Sequence, residues 1–457
     1  MASDRQHSVN RRIFGAMVTV APILVLGKVL SALKDIVVAA RFGVGDEVDA
    51  FLIALLLPTF AINLISGTLN LALLPVYLQE RHQEGDESAN ELVEAISFWT
   101  IGLLTLASAI LLLLAPVILP LLGSRFSATK VGLADNLLLV LMVSLPINGL
   151  ALLWGAVLNA HDRFFLRAMA SLAAPVGPLL FVLLFSSKWG ITTLALGTVI
   201  GCAAEAVIVG AGVWALSVPI RPRWHRPDQR LWKVLDQFVP MFIGALVVGL
   251  NPIVDQSMAA GLGRGSVAAI GFGGKAVAVI LSLGGAALST AIFPHFSTMV
   301  AKSEWLSIRS TIRLYGGLVL GLGALATAAG VFFSPEIVRL MFQHGKFTGE
   351  DASLVSSIQS LYMLQIPFYM SSLLFVRLIG AMGKSKILMW ISVLNLVCNT
   401  IGNYVLSRTM GVPGIALSTA GVFLVSSIAS GVYVAVHIAN ACKEAVPINL
   451  AQSGGAR

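Results

Sequence analysis

Twelve apolar runs of about 20 residues or more follow one another along the chain, separated by short polar breaks. They fall near 14–41, 49–78, 93–122, 131–160, 164–186, 190–219, 235–261, 267–299, 311–333, 353–381, 387–407 and 412–440. At about 1.5 Å of rise per residue, each can cross a hydrocarbon core roughly 30 Å thick as a helix. The pattern predicts an all-α, polytopic membrane protein, because a helix pairs its own backbone N–H and C=O groups where no water can. Runs 49–78 and 267–299 exceed what crossing requires and are expected to tilt, break or continue past the bilayer. The first run, starting at Ile13, is too long for a signal-peptide core and carries no small-residue cleavage site, so it reads as an uncleaved span.

The polar breaks orient the spans. One set of ends carries eighteen basic residues (Arg5, Arg11, Arg12, Arg81, Arg163, Arg167, Arg221, Arg223, Arg226, Arg230, Lys233, Lys302, Arg309, Arg313, Lys384, Lys386, Lys443 and Arg457). The opposite set carries eight (Arg41, Arg125, Lys130, Lys188, Arg264, Arg339, Lys346 and Arg408). Basic residues stay on the cytoplasmic side, so both termini are expected in the cytoplasm.

The connection Arg221-Pro222-Arg223-Trp224-His225-Arg226-Pro227, halfway along, reads as a linker between two six-span lobes, residues 1–225 and 226–457. An internal repeat supports this division. Asp35-x3-Ala39-Ala40-x2-Gly43-x-Gly45 returns 220 residues later as Asp255-x3-Ala259-Ala260-x2-Gly263-x-Gly265. Pro75-Val76-Tyr77 returns 219 residues later as Pro294-His295-Phe296. An even number of spans per repeat points both copies the same way, with substrate expected near the midplane where they meet.

Composition agrees with the pattern: 57% of residues are hydrophobic and 11% charged, against about 25% charged in soluble domains. The net charge of +8 follows from the loops and does not suggest a nucleic-acid partner. Cys202, Cys398 and Cys442 sit in or beside apolar runs with neither disulfide nor metal spacing. The seven histidines are scattered and there is no phosphate-binding loop, so nothing points to an enzyme or an ATP-driven pump. The acidic groups Asp46, Glu47, Asp49 and Glu84, Asp86, Glu87 read as solvated loop charges.

Four basic residues, Lys28, Lys34, Lys275 and Arg377, fall within the spans, where a charge is tolerated only beside water, a partner or a substrate. On an ideal helix Lys28 and Asp35 share a face. Two readings stand: a Lys–Asp pair holding helices together, or a cationic cavity wall suited to phosphate or pyrophosphate. Lys275 lies about eight residues into its run, whereas Arg377 is near enough to a span end to snorkel. Asp255, with Asn395 and Asn399 on one helix face and Asn403 continuing it, offers oxygen ligands for a hard cation, or interhelical hydrogen bonds. Glu205 has no evident partner in the sequence and reads as a proton site or a solvated carboxylate.

Gly27-Lys28-Val29-Leu30-x3-Lys34-Asp35-x3-Ala39-x2-Phe42-Gly43, with Asp49-Ala50-Phe51 and Leu57-Pro58, resembles the MurJ/MviN lipid II flippase family of the multidrug/oligosaccharidyl-lipid/polysaccharide exporter superfamily. The likeness resumes at Asn251-x3-Asp255-x3-Ala259, Gly265-Ser266-Val267, Phe342-x2-Gly345-Lys346-Phe347 and Gly414-x-Ala416-Leu417-x-Thr419. It implies two six-helix lobes forming a V-shaped cavity. It further implies alternating access that carries an undecaprenyl-pyrophosphate-linked glycan, lipid II or a related lipid-linked oligosaccharide, to the periplasmic leaflet of the bacterial inner membrane.

By the same resemblance Lys28, Lys34 and Lys275 stand where the family has cavity arginines, keeping the charge without the bidentate fork, while a further cavity arginine falls on Ile62. Asp35 and Arg377 complete the candidate substrate site. The family's sodium site corresponds to Asp255, Asn395, Asn399, the carbonyl of Ile415 and Thr419, with Na⁺ or H⁺ as the coupling ion. Family members commonly carry two further spans, which here give way to a short polar tail. Expected partners are the bilayer, the lipid-linked glycan and wall or polysaccharide assembly enzymes. The competing expectations are an O-antigen or exopolysaccharide-unit flippase, a cation-coupled drug antiporter of the same superfamily, and a membrane scaffold that transports nothing.

Overall fold

Among the described residues, eleven helices are long and apolar enough to cross a membrane. The computed structural model describes residues 2–226 and 228–453, with side chains over 19–226, 228–290 and 292–442. Pro227 and Arg457 therefore lie outside the described residues, and Arg5, Arg11, Arg12 and Lys443 outside the described side chains. The eleven helices are α2 (Asp46–Gln83), α3 (Asp86–Leu122), α4 (Ala128–Ala160), α5 (Phe164–Trp189), α6 (Thr192–Trp214), α7 (Gln229–Ala260), α8 (Ser266–Ala301), α9 (Trp305–Phe332), α11 (Gly349–Ala381), α12 (Ser385–Met410) and α13 (Val412–Ser453). They coincide with every predicted run but the first, which lies in α1 (Ala2–Phe42). No strand occurs among the described residues, and the protein is all-α and polytopic.

The over-long second run stays one continuous helix with a local distortion. α2 has 38 residues, about 57 Å of helix, and winds into a π-turn at Asn63–Gly67 a few residues after Pro58. A short helix that the sequence does not announce, α10 (Ser334–Phe342), follows α9, with proline in its first turn.

By internal contacts the chain divides into residues 1–268 with 344–348, and residues 269–343 with 349–457. The division falls beyond α7 and not at the proline-marked linker, because α7 packs along α2, α3 and the π-turn.

In the first unit, Leu73, Val76 and Tyr77 of α2 pack with Leu153, Val157, Val209, Val213 and Val234 from α4, α6 and α7. Its tightest crossing joins α5 to α6. A Cβ on Gly177 would lie 2.5 Å from the Gly197 carbonyl, and one on Gly201 would lie 2.8 Å from the Ala173 carbonyl. Such small residues let backbones touch where hydrocarbon surroundings supply no hydrophobic drive. The loop 344–348 sits over the end of α1: Lys346 N–H donates to the Ala40 carbonyl at 2.8 Å. Gly43, at φ +67°, is required there, since a Cβ would lie 2.7 Å from the Lys346 carbonyl.

In the second unit, Ile292 and Phe296 of α8 pack with Ile308, Leu374, Leu378, Val434 and Ile438. The repeat partners Tyr77 and Phe296 are thus both fully buried, each in the core of its own unit.

Candidate functional site

Lys28 is exposed midway along α1 and makes no ion pair among the described residues. Lys34 Nζ lies 3.1 Å from Asp35 Oδ1, so the lysine–aspartate pair forms within one helix, between neighbours. It does not bridge Lys28 to Asp35. Asp35 is buried and Lys34 only half-buried, which leaves the amine facing outward from a carboxylate that sits in the packing.

Beyond the end of α1, Asp49 corrects the sequence expectation of a solvated loop charge: its exposure is 0%. Its Oδ2 accepts from Lys130 Nζ at 2.7 Å and from Gly265 N–H at 2.7 Å, and its Oδ1 accepts from Ala268 N–H at 2.8 Å. Lys130 Nζ also donates to Asp46 Oδ1 at 2.8 Å and stands 3.9 Å over the Phe126 ring. Asp49 therefore caps the first turn of α8 from a different helix, where free N–H groups and the positive end of the dipole favour a carboxylate. Gly265 allows the approach: its φ is +75° and a Cβ would lie 2.7 Å from Val44 Cγ1.

In the second unit, Lys275 is half-buried on α8. Arg377 is exposed on α11, and its Nε donates to Ser289 Oγ of α8 at 3.1 Å. Asn395 and Asn399 lie on α12, Ile415 and Thr419 on α13, while Asp255 lies in the first unit on α7. Asn395 Nδ2 donates to Ser426 Oγ at 3.2 Å, and Asn395 Oδ1 is buried without a hydrogen-bond donor among the described residues. Asn399 Oδ1 accepts from Asn403 Nδ2 at 3.1 Å, and Thr419 Oγ1 donates to the Ile415 carbonyl at 3.1 Å. Within the second unit, the carbonyl-type oxygens of Asn395, Asn399 and Ile415 keep a second lone pair and are of the chemical kind a hard cation takes.

The family model for the lipid II flippase MurJ matches residues 38–440. This chain belongs to the MurJ family. It is 25% identical over 439 residues to a probable lipid II flippase MurJ of Vibrio cholerae, covering 90% of this chain and 81% of that protein. It is 22% identical over 435 residues to the lipid II flippase MurJ of Burkholderia cenocepacia, covering 89% and 80%. Among solved structures, a MurJ in an inward closed conformation superposes with a TM-score of 0.76 at 21% identity, over 90% of this chain and 86% of that one. An inward-facing MATE multidrug transporter gives 0.76 at 14% identity, over 94% and 99%. These likenesses extend the fold to a wider transporter class.

This MurJ-family chain also carries fasteners that charge counting misses. Glu205 has a partner after all: it accepts from Arg167 Nη1, which passes over Gly155, where a Cβ would lie 2.3 Å from Arg167 Nε. Lys233 Nζ donates to the buried Glu80 at 3.0 Å, and His225 Nε2 lies 2.9 Å from Glu94 Oε2. Arg230 Nη1 reaches Ser88 Oγ at 2.8 Å while its Nη2 reaches Glu91 at 2.9 Å, tying the start of α7 to that of α3. Asp228 caps α7 through the N–H groups of Arg230 and Leu231. Burial raises its carboxyl, but these donors and the Arg230 side chain together hold it below the usual carboxylate value. At the opposite end of α4, Tyr77 Oη lies 2.8 Å from His161 Nε2. Burial, with Arg81 nearby, lowers the His161 ring below its ordinary value, and the ring's tautomer sets which of the two groups donates.

Proposed function

We propose that this protein translocates lipid II from the cytoplasmic to the outer leaflet of the bacterial inner membrane, with no covalent chemistry of its own. Membership of the MurJ family supports the reading, and the observation that carries it is the Lys28 amine, exposed on α1 within the first apolar run and without an ion pair among the described residues. Such a group is tolerated in a bilayer when water and a counter-charge are supplied to it, and a pyrophosphate supplies both charge and acceptor oxygens. Lys28, Lys34, Lys275 and Arg377 grip the pyrophosphate and head group, and Asp35 orients Lys34. Lysine acts there as a point charge, a looser grip than the arginine fork and therefore one easier to release.

Both termini lie in the cytoplasm in this reading. Resetting the transporter draws on Na⁺ held by Asp255, Asn395, Asn399, the Ile415 carbonyl and Thr419, or on H⁺, or on the membrane potential. The potential is worth about 2.3 kcal/mol per charge per 100 mV, enough to bias a cationic site. Drug antiport is not favoured, because the MATE likeness is one of fold and the intramembrane cations suit an anion.

The test is depletion of the protein in its own host, with quantification of lipid II and of other lipid-linked glycans in the two leaflets. Accumulation of lipid II facing the cytoplasm, reversed by the wild-type gene, is expected. Accumulation of a different lipid-linked glycan, with lipid II distribution unchanged, would transfer the protein to surface-polysaccharide export.

A further inference from the structure

A groove of about 640 Å³ lies wholly within the second unit, between the start of α9, α11 and the late part of α13. Arg309 and Arg313 stand at its edge, four residues apart and so on one face of α9. Both guanidinium groups are exposed, and neither makes an ion pair among the described residues. Otherwise the groove is almost entirely apolar. Ile428 and Val432, one helical turn apart on α13, line it at 56% and 58% exposure, with Phe375 beneath. Gly431 makes the depression, since a Cβ there would lie 3.1 Å from the Phe375 ring.

The depth of the groove is marked by aromatic residues. Trp305 opens α9 and meets His437 edge-on at 5.5 Å, and Tyr433 stacks on that ring at 6.0 Å. Amphipathic rings of this kind settle at the membrane–water boundary. Arg309 and Arg313 follow Trp305 by about 6 and 12 Å along the helix axis, at or just below the headgroups. Two unpaired guanidinium groups at that level, with an apolar trough leading away from them, match the chemistry of a lipid phosphate joined to acyl chains.

We infer that this groove is a binding site for an anionic phospholipid of the surrounding leaflet, its phosphate on Arg309 and Arg313 and an acyl chain along Ile428 and Val432. A partner helix fits less well, since it would have to bring carboxylates to bilayer depth to meet both arginines. The inference does not depend on what the transporter carries.

Cys442 lines the groove and provides the reporter. The full chain, with Cys202 and Cys398 replaced by alanine and bimane on Cys442, is titrated in detergent with phosphatidylglycerol or phosphatidylcholine bearing brominated chains. Saturable quenching by the anionic lipid alone is expected. R309A/R313A should weaken it about thirtyfold, the worth of two basic side chains at a lipid phosphate. R309K/R313K should keep most of it. An unchanged melting temperature in phosphatidylcholine certifies the fold of each variant. Equal quenching by the two lipids, or an unaltered titration in R309A/R313A, would overturn the proposal. So would displacement of phosphatidylglycerol by a polyprenyl phosphate at lower concentration, or disulfide-linked dimers of A435C in native membranes, which would show another occupant.

Discussion

The Asp49 carboxylate and the Ala268 amide lie 2.8 Å apart across 219 positions of chain, and that bond fastens the first turn of α8 to α2. With Gly265 and Lys130 it leaves neither oxygen of a fully buried carboxylate unpaired.

The Asp49–Lys130 pair should therefore behave as a coupled unit. K130A leaves a buried carboxylate without its counter-charge and is expected to cost about 3–5 kcal/mol, whereas D49N/K130M should cost clearly less than the two single changes added together. Thermal unfolding in detergent across the four-member cycle measures this, and strict additivity would refute the coupling.

K28A and K275A are expected to abolish lipid II translocation while leaving insertion and melting temperature unchanged, and K28R should retain transport. A leaflet-resolved assay of lipid II in reconstituted vesicles is the check. Wild-type rates in both alanine variants would dismiss the cationic substrate site.

His161 supplies a pH signature for the end of α4. Its folded-state value is depressed below 6.5, burial being the largest cause, so its contribution is complete above the unfolded value and is lost as pH falls through the lower, folded one. Melting temperature should drop on acidification below about pH 6.5, and H161Q should flatten that part of the profile. A curve for H161Q superimposable on the wild type would assign the acid sensitivity to other groups.

If Na⁺ resets the transporter, N395A and N399A should raise the Na⁺ concentration needed for half-maximal transport or abolish the dependence. Replacing Na⁺ by choline should slow the wild type in the same assay. Transport indifferent to Na⁺ in the wild type leaves H⁺ or the potential as the source, which a pH-jump or valinomycin experiment separates.

Much of the architecture was legible because lipid imposes a simple rule: apolar stretches of sufficient length become helices. Of the repeat, the pair Tyr77 and Phe296 are both buried, each in the core of its own unit, while Gly43 and its counterpart Gly263 differ: a Cβ on the first would meet the Lys346 carbonyl and one on the second would meet nothing. Asp49, Lys130, Arg167 and Lys233 were misjudged from one cause. Charges near span ends look like loop charges when counted along the chain, and only the packing of distant helices shows which are paired.

By itself, then, the sequence determined the number and length of the long apolar helices from α2 onward and which basic residues fall within apolar runs, because hydrophobic length and the cost of a buried charge act residue by residue. Tertiary structure alone decided that α7 joins the first unit, that Asp49 caps a helix more than two hundred residues away, and that Lys34 pairs with its neighbour while Lys28 makes no ion pair among the described residues. Those outcomes depend on distances between helices, and one-dimensional spacing carries no information about them.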